Sequence, residues 1–282
     1  MKRMRFWLSV AGCCLLTVVL LSACKRTTKE NSKSEELEVV VDDSLDYAAI
    51  RGQCQKPFSV DSLFDDFFFA FCTNKLFQRG RIEFPLPVYD AENTRLQIEE
   101  EEWQYDPFFV EDGYYTVIFD TPAQMEAARD TTLMETMVER INLNADFVSQ
   151  YHFGRDRGYW MLSSIRHQYL KDNGNASFLT FYQKFAADSV FQEKSLSPHV
   201  KFTTTDPDDE LETISGTMEP GQWDMFRPAV IPDETIYNIV YGHPLHDDME
   251  KLFVIRGVDD DSEAQMTFRR HRDRWRLTAI SN

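Results

Sequence analysis

The most regular apolar pattern in the chain is a stripe of aromatic residues, and it occurs twice. In FDDFFFAFCTNKLFQ (64–78) the rings stand at positions i, i+3, i+4 and i+7, the spacing of one face of an amphipathic helix. The segment FLTFYQKFAADSVFQ (178–192) repeats the stripe 114 residues later, together with the trailing Phe-Gln. A generic helix would share the stripe but not this ending, so the pattern predicts two related helices.

Two further segments recur in the same order. YYTVIFDTP (114–122) matches IYNIVYGHP (236–244) at an offset of 122, and a β-branched and aromatic run closed by proline is typical of a strand. FGRDRGYWMLSSI (153–165) matches FRRHRDRWRLTAI (268–280) at an offset of 115, and its alternation predicts a hairpin-like strand pair. Three ordered matches with similar offsets indicate a tandem duplication.

Each copy therefore consists of a leading helix followed by sequential strands. This order predicts an α+β module in which the helix lies on an antiparallel sheet. The turn-rich segment KDNGNAS (171–177) separates the copies and contains a plausible helix cap. We predict a first module at residues 57–171 and a second at 172–282, called the first and second copy below.

The Phe-rich leading helix and a closing strand that reads RWRLTAI (274–280) are similar to the cone-shaped nuclear transport factor 2-like, or cystatin-like, fold. Over roughly residues 55–282 the chain also resembles a family of uncharacterised Bacteroidetes lipoproteins known as a domain of unknown function. The resemblance implies two tandem cone-shaped modules, each with a hollow between helix and sheet. It implies no activity, because this fold has many functions.

The amino terminus, MKRMRFWLSVAGCCLLTVVLLSAC (1–24), has a basic start, an apolar run and small residues before a break. These features are typical of a secretory signal, although the run is also readable as a short uncleaved membrane helix. The ending LSAC resembles a bacterial lipoprotein signal. That resemblance implies a signal peptide at 1–23, cleavage before Cys24 and lipidation of its sulfur, with acyl chains as the membrane anchor.

Residues 24–56 comprise the lipidated cysteine and a polar, charged segment that predicts a flexible tether. Lys25 and Arg26 differ from the aspartate linked to inner-membrane retention and from the acidic run linked to surface export in Bacteroidetes. The expected location is the cell envelope, in the outer membrane and facing the periplasm.

The net charge of −17 changes the range of expected partners. So acidic a chain repels phosphate backbones, which argues against nucleic acid and against electrostatic docking on anionic lipid. The sequence has no Gly-rich phosphate loop, nucleophile elbow or catalytic Cys–His signature, and we predict no cofactor.

Two cysteines remain beyond the lipidation site, Cys54 and Cys72. An oxidising envelope permits a disulfide between them. Cys72 also lies in the aromatic helical run, where a free cysteine behaves as a small buried hydrophobe. The spacing of the two cysteines favours neither the disulfide nor the free buried thiol.

In the second strand of this hairpin Arg274 and Arg276 alternate with Trp275 and Leu277. We therefore predict that the arginines lie on a solvent-facing strand surface, with phosphate or carboxylate binding as the alternative. The first copy has apolar residues where the second has polar ones at three positions. Phe69, Tyr159 and Met161 are accordingly predicted to form an inter-module contact or a partner-binding patch.

The segment GHPLHDDME (242–250) contains His243, His246 and Asp247, whose side chains suit zinc or another transition metal. The H-x-x-H spacing is weak evidence alone, and surface loops often combine such residues without a metal. The acidic runs at 99–102, 203–210 and 258–263 lack the pattern of a calcium loop and predict solvated loops.

Enzymes with the cone-shaped fold use acids, histidines or tyrosines inside the hollow, and candidates in this chain are Asp65, Asp66, Tyr115, His152 and Tyr237. They form no pair with a defined spacing. We therefore predict a non-catalytic binding or structural module for a small molecule or an envelope protein. The alternatives are an isomerase, dehydratase or hydrolase with an Asp or His in the hollow, and a scaffold whose hollows are filled.

Overall fold

The computed structural model describes residues 59–282, except 207, 208, 245, 247, 248, 259 and 261. The predicted signal, Cys24 and Cys54 lie outside the described residues. In the described part the helices are α1 (Phe64–Thr73), α2 (Lys75–Gly80), α3 (Pro122–Met125), α4 (Ala176–Ala187), α5 (Ser189–Lys194) and α6 (Trp223–Phe226). None of these helices is long and apolar enough to cross a membrane. Short 3₁₀ turns lie at Ser59–Asp61, Glu100–Glu102, Val110–Asp112, Glu126–Arg129, Leu170–Asp172 and Pro220–Gln222.

The strands form two sheets of six within the described residues. They are β1 (Leu86–Tyr89), β2 (Arg95–Ile98), β3 (Tyr114–Phe119), β4 (Glu135–Asn142), β5 (Phe147–Asp156), β6 (Tyr159–Tyr169), β7 (Leu196–Asp206), β8 (Asp209–Met218), β9 (Thr235–Val240), β10 (Glu250–Gly257), β11 (Glu263–His271) and β12 (Arg274–Ser281). The first sheet has the order β2-β1-β6-β5-β4-β9 and the second the order β8-β7-β12-β11-β10-β3.

This architecture confirms the predicted α+β class with a helix on each sheet. The sheets are mixed, because β1 pairs in parallel with β6 and β7 pairs in parallel with β12, while their other pairs are antiparallel. A parallel pair needs a long crossover connection, and the antiparallel strands between β1 and β6, or between β7 and β12, provide it.

The two sheets exchange one strand. β3 belongs to the first copy but pairs with β10 at the edge of the second sheet, and β9 belongs to the second copy but pairs with β4 in the first. Each sheet therefore contains residues from both sides of residue 171. The predicted boundary at residue 171 separates the two copies in the sequence, and the division into two modules there stays a prediction.

Side chains join the exchanged strands where they meet. The hydroxyl of Thr116 in β3 accepts a hydrogen bond from the Tyr237 amide at 3.0 Å and donates to the Tyr237 carbonyl. In return the Ile118 amide donates to Oδ1 of Asn238 at 2.9 Å. These side chains satisfy backbone groups on the edges of β3 and β9 that would otherwise be buried without partners.

The structure aligns the exchanged strands β3 and β9 one position differently from the sequence comparison. Val138 in β4 and Phe253 in β10 are equivalent residues, since they differ by the same 115 positions as the closing hairpins. Val138 pairs with Ile239 of β9, and Phe253 pairs with Ile118 of β3, so Ile118 and Ile239 are equivalent. The sequence comparison instead aligned Ile118 with Val240. The corrected offset between β3 and β9 is therefore 121.

The predicted aromatic stripes fill the space between each leading helix and its sheet. Phe64 of α1 lies 5.4 Å from Phe153 and 5.1 Å from Trp160 of the first sheet, measured between ring centroids. Phe178 of α4 lies 5.4 Å from Phe268 in the second. Burying one such side chain contributes roughly 1.5–3 kcal/mol, so these rings account for much of the core.

A buried ion pair connects the start of the described chain to the first sheet. Arg81 donates to both carboxylate oxygens of Asp61, at 2.7 and 2.9 Å, and the Trp160 amide donates to the same carboxylate at 3.1 Å. The Asp61 side chain is fully buried and that of Arg81 is 5% exposed. Because removal of one partner would leave the other charge buried and unpaired, both are structurally important.

Candidate ligand-binding site

Arg140 is the centre of a polar cluster on the α1 face of the first sheet. Its Nε donates to the hydroxyl of Tyr237 at 3.1 Å, Nη1 to the hydroxyl of Tyr151 at 3.2 Å, and Nη2 to Oδ1 of Asp106 at 2.6 Å. Tyr237 lies on the exchanged strand β9. The cluster is therefore assembled from both copies of the duplication.

Electrostatics keep the ionisation states of this cluster fixed. Burial acts to lower the pKa of Arg140, but the Asp106 carboxylate and the neighbouring phenols outweigh it and raise the pKa above its ordinary value. Burial raises the pKa of Tyr237 to about 12, although Arg140 acts in the opposite direction, and burial also raises the pKa of Tyr151. At neutral pH Arg140 is therefore a cation and both tyrosines are neutral phenols.

The loop Asp106–Phe109 covers this cluster with an aromatic residue in an unusual conformation. Phe108 is buried with φ +52°, a left-handed conformation that costs a bulky residue about 1–3 kcal/mol. Its ring lies 4.9 Å from that of Tyr151, and the Arg140 guanidinium carbon lies 4.9 Å from its centroid. The Asp106 carboxylate accepts from the Phe108 amide at 2.8 Å, so one side chain holds both the turn and Arg140.

A cavity of about 400 Å³ opens beside the cluster, and we call it the Arg140 cavity. Its lining residues are Phe108, Asp112, Tyr114, Arg140, Asp233, Glu234, Thr235 and Tyr237. The three carboxylates, Asp112, Asp233 and Glu234, are exposed at its rim. The pKa of Tyr114 is raised mainly by burial and then by the charges of these three carboxylates.

The corresponding place in the second copy is larger and mainly apolar. Ile255 stands where the first copy has Arg140, and Ala229-Val230 stands where it has Phe108-Phe109. With these smaller side chains a cavity of about 720 Å³ remains, called the Ile255 cavity. Tyr114 lines both cavities, so the two are neighbours.

Two of the residues predicted in the hollow, Asp65 and Tyr115, are near enough for one to act on the other, and Asp65 is a half-buried carboxylate. Asp65 accepts a hydrogen bond from the Tyr241 hydroxyl at 2.8 Å. Burial raises the pKa of Asp65, while the Tyr241 bond and the Arg256 charge act to lower it. The Asp65 charge in turn acts on Tyr115, whose own pKa is raised mainly by burial.

The other predicted hollow residues are apart from this pair. Asp66 is exposed. His152 is half-buried; burial, with Arg166, lowers its pKa, and its Nε2 has no hydrogen-bond partner among the described residues. Tyr237 belongs to the Arg140 cluster. The structure thus separates the predicted set: Asp65 and Tyr115 lie near each other, Tyr237 belongs to the Arg140 cluster, and Asp66 and His152 belong to neither.

The predicted metal ligands form no cluster in the described part of the chain. His243 is half-buried, His246 is exposed, and the His246 carbonyl accepts a hydrogen bond from Lys251 at 2.6 Å. Asp247 lies outside the described residues. Among the described residues no group of three potential ligands comes together, and metal binding stays a prediction.

The members of the predicted patch have different exposures. Phe69 is 47% exposed, whereas Tyr159 and Met161 are buried. The guanidinium carbon of Arg81 lies 5.1 Å from the Tyr159 ring centroid. The contact that these residues make with another module or protein stays a prediction. Cys72 is a buried free cysteine among the described residues, and the alternative of a disulfide is not tested because Cys54 lies outside them.

The arginine-rich hairpin has the predicted turn and alternation, but not every arginine faces solvent. Arg272 and Asp273 form its turn with φ values of +49° and +62°. Trp275 and Leu277 are buried, while Arg274 is exposed. Arg269, Arg272 and Arg274 are exposed as predicted. Arg270 is an exception, because its guanidinium carbon lies 5.5 Å from the Trp275 ring centroid and it donates a hydrogen bond to the Ser177 hydroxyl of α4 at 2.9 Å.

Sequence reasoning missed Asp106, Arg140 and Tyr151. Asp106 lies 34 residues before Arg140 and Tyr151 lies 11 residues after it, and the three belong to no short motif. A signal was nevertheless available, because at the 115-residue offset Arg140 aligns with Ile255, a charge opposite a core residue. Extending the comparison of copies from the hairpins to β4 would have identified it.

Comparisons with known proteins agree with the fold described above. The sequence model of DUF4348, a domain of unknown function, matches residues 42–282. A crystal structure of an NTF2-like protein from Bacteroides fragilis NCTC 9343 is 34% identical, with a TM-score of 0.74, covering 80% of this chain and 98% of that one. No curated protein matches the chain.

Proposed function

We propose, from the premise that this chain belongs to the DUF4348 family and has an NTF2-like fold, that it is a lipid-anchored binding protein of the cell envelope. Its ligand is a small molecule that enters the Arg140 cavity and the neighbouring Ile255 cavity. One observation carries this proposal. Aromatic rings fill the interiors of both hollows, but their mouths remain open as adjoining cavities.

The chemistry of the Arg140 cluster favours binding over catalysis. A general acid or base works best with a pKa near the working pH. Arg140 and the two tyrosines have pKa values raised away from neutrality, and the Asp106 carboxylate is engaged by Arg140. Such fixed donors and acceptors orient a ligand without exchanging protons with it.

An isomerase, dehydratase or hydrolase is the second candidate, because Asp65 is a carboxylate whose pKa is raised by burial. Raised carboxyl pKa values cluster at catalytic sites. However, Asp65 lines neither cavity, and Tyr241 occupies one of its oxygens. Binding is therefore the better-supported function.

Fluorescence titration with N-phenyl-1-naphthylamine, a neutral apolar dye, tests the binding proposal. The protein is residues 24–282 with Cys24→Ser, purified without lipid. We expect saturable binding that Ala229→Trp abolishes by filling the Ile255 cavity. The matched control, Val190→Trp on an exposed face of α5, should bind normally. Equal binding by both variants, or no saturable binding, contradicts the proposal.

Fractionation of cells tests the anchor separately. With Cys24→Ser we expect the protein to leave the membrane fraction and to lose incorporation of labelled palmitate, since its acyl attachment atom is absent. Cys54→Ser is the matched control and should stay in the membrane. A Cys24→Ser protein that remains membrane-bound and labelled disproves lipidation at this residue.

A further inference from the structure

We infer that a third cavity, between α4, α5 and the closing hairpin of the second copy, binds an aromatic acid, a ligand with one carboxylate on a flat apolar ring. The cavity measures about 460 Å³, and the rings of Phe181, Phe191 and Trp275 line it together with Ser195. We call it the Phe181 cavity. It shares no lining residue with the Arg140 and Ile255 cavities, so the inference goes beyond the proposed function.

The first copy has an arginine at the position of Ser195. Arg81 follows α2 as Ser195 follows α5, at the offset of 114 that relates the helices. The carbonyl of Arg81 accepts a hydrogen bond from the Leu162 amide at 2.8 Å, and the carbonyl of Ser195 accepts one from the Leu277 amide at 2.9 Å. The two residues are therefore equivalent in the structure as well as in the sequence.

The rings around these two residues have the same arrangement. Phe67 and Phe77 lie 5.9 Å apart between centroids at 53°, and Phe181 and Phe191 lie 5.8 Å apart at 50°. In the first copy the Arg81 guanidinium carbon lies 4.6 Å from the Phe77 centroid and 5.7 Å from that of Phe67, within the range of cation–π attraction. Because serine is much shorter than arginine, the rings that hold a planar group in the first copy border a cavity in the second.

The second copy carries more positive charge around this place than the first. Four of the residues that line the cavity are cations, and the equivalent residues of the first copy are uncharged. They are Lys184, Lys194, Arg274 and Arg276, in place of Ala70, Gly80, Tyr159 and Met161. Lys184, Lys194 and Arg274 form no ion pair within the described residues, and Asp273 is the one carboxylate in the lining. Cations that converge on one cavity attract an anion.

A cationic ligand is disfavoured, although the first copy holds a guanidinium at the equivalent place. Asp61 neutralises Arg81 there by accepting two of its hydrogen bonds. The residue equivalent to Asp61 is Asn175, which has no charge and accepts a hydrogen bond from Lys251 at 2.6 Å. A cation in the Phe181 cavity would thus meet four cations without the carboxylate that stabilises Arg81.

The lining instead matches both parts of an aromatic acid. A flat ring packs against Phe181 and Phe191 as the guanidinium does in the first copy, and aromatic pairs favour such contacts. The carboxylate meets lysine and arginine side chains, with which it forms charge-assisted hydrogen bonds. The net charge of −17 repels a ligand of high negative charge, so a single carboxylate suits the site better than a polyanion. The arginine-rich hairpin thereby takes the carboxylate-binding role that the sequence left as an alternative.

Calorimetric titration of the same residues 24–282 with 2-naphthoate tests the inference. The compounds 2-naphthalenemethanol and 2-naphthylmethylamine present the same rings with a neutral and a cationic group. We expect 2-naphthoate to bind at least tenfold more tightly than either, because the ring contacts are shared and only the charge differs.

Variants that carry first-copy residues locate the bound acid. Ser195→Arg should weaken 2-naphthoate at least tenfold, because the guanidinium would occupy the place of the naphthyl ring. Lys184→Ala/Arg274→Tyr, at two exposed positions, should weaken 2-naphthoate about tenfold and leave the neutral alcohol unchanged. Lys75→Ala/Arg95→Tyr makes the same exchanges at exposed positions of the first copy and is the charge-matched control, which should bind normally.

Four outcomes would overturn the inference: no binding of 2-naphthoate, equal affinity for the acid and the alcohol, tighter binding of the amine, or full 2-naphthoate binding by Lys184→Ala/Arg274→Tyr. The last of these applies even where Ser195→Arg fails to fold. Ala229→Trp should leave 2-naphthoate binding unchanged, and loss of binding in that variant would assign the acid to the Ile255 cavity and refute the Phe181 site. The dye titration decides the proposed function separately, because the cavities share no lining residue.

Discussion

The hydroxyl of Thr116 joins the two exchanged strands, and its removal tests how strongly the copies depend on that junction. Thr116 is 1% exposed and bonds both the amide and the carbonyl of Tyr237. Thr116→Val keeps the shape of the side chain but leaves these two backbone groups buried without a partner.

The expected cost follows from the number of groups left unpaired. A buried donor or acceptor without a partner costs about 1–3 kcal/mol, and local relaxation recovers part of it. We therefore expect Thr116→Val to lower the free energy of unfolding by about 2–4 kcal/mol, a large share of the 5–15 kcal/mol typical of a folded domain. Valine itself fits a strand well, so its propensity does not add to the loss.

Thr136→Val is the matched control, since Thr136 is 4% exposed in β4 and its hydroxyl has no partner among the described residues. We expect a change within about 0.5 kcal/mol, because no bond is lost. Urea unfolding followed by tryptophan fluorescence measures both, provided that the slopes agree. Equal shifts of the two midpoints would refute the assignment of the junction to the Thr116 hydroxyl.

Three further predictions use the same unfolding assay. Asp61→Asn should cost about 3–5 kcal/mol by leaving its arginine partner buried and uncompensated, whereas Glu100→Gln, in an exposed ion pair, should cost less than about 1 kcal/mol; similar losses would contradict this. Asp65→Asn should be more stable than wild type at neutral pH. Because the pKa of the native Asp65 carboxyl is raised, its contribution to stability is present below the ordinary pKa of 3.8 and is lost as the pH rises. A difference in unfolding free energy between the two proteins that stays constant from pH 3 to 8 would exclude this. Asp273→Gly should gain, and Gly158→Asp lose, about 1 kcal/mol, because both residues have positive φ in hairpin turns; a loss with Asp273→Gly would oppose this.

The elements that the sequence predicted well are those decided by nearby residues. The aromatic spacing of residues 64–71 and 178–185 corresponds to α1 and α4, because a 3.6-residue period leaves one apolar face. The alternation at residues 274–280 placed the arginines outside, because strand side chains alternate between faces.

The exchange of β3 and β9 could not be predicted in this way. In each strand at least the last four residues are buried, so neither has a polar face that would distinguish one sheet from the other. A continuous apolar run is compatible with either neighbour and with either register. The offset of 122 in place of 121 has the same cause. The information lies in Thr116 and Asn238, polar residues within apolar strands whose partners are on the other strand.

Some bonds recur in both copies and identify the parts that hold the fold. Gln78 accepts a hydrogen bond from the Trp103 indole at 3.1 Å, and Gln192 accepts one from the Trp223 indole at 2.9 Å. The trailing Phe-Gln of the repeated helix segment is thus explained by a structural bond. A feature that appears twice in equivalent places is needed by each module, whatever the module binds.

The converse applies to the residues that differ between the copies. Arg140 corresponds to Ile255, and Phe108 corresponds to Ala229. Each copy folds with its own set, so the shared fold does not by itself require an arginine and a strained phenylalanine in the first. The proposed ligand would account for this asymmetry. The exchanged strand explains how one cavity draws on both copies, because it brings Tyr237 and the neighbouring carboxylates of the second copy to the first. The polar Arg140 cavity therefore consists of residues from both copies, whereas the Ile255 cavity is mainly apolar.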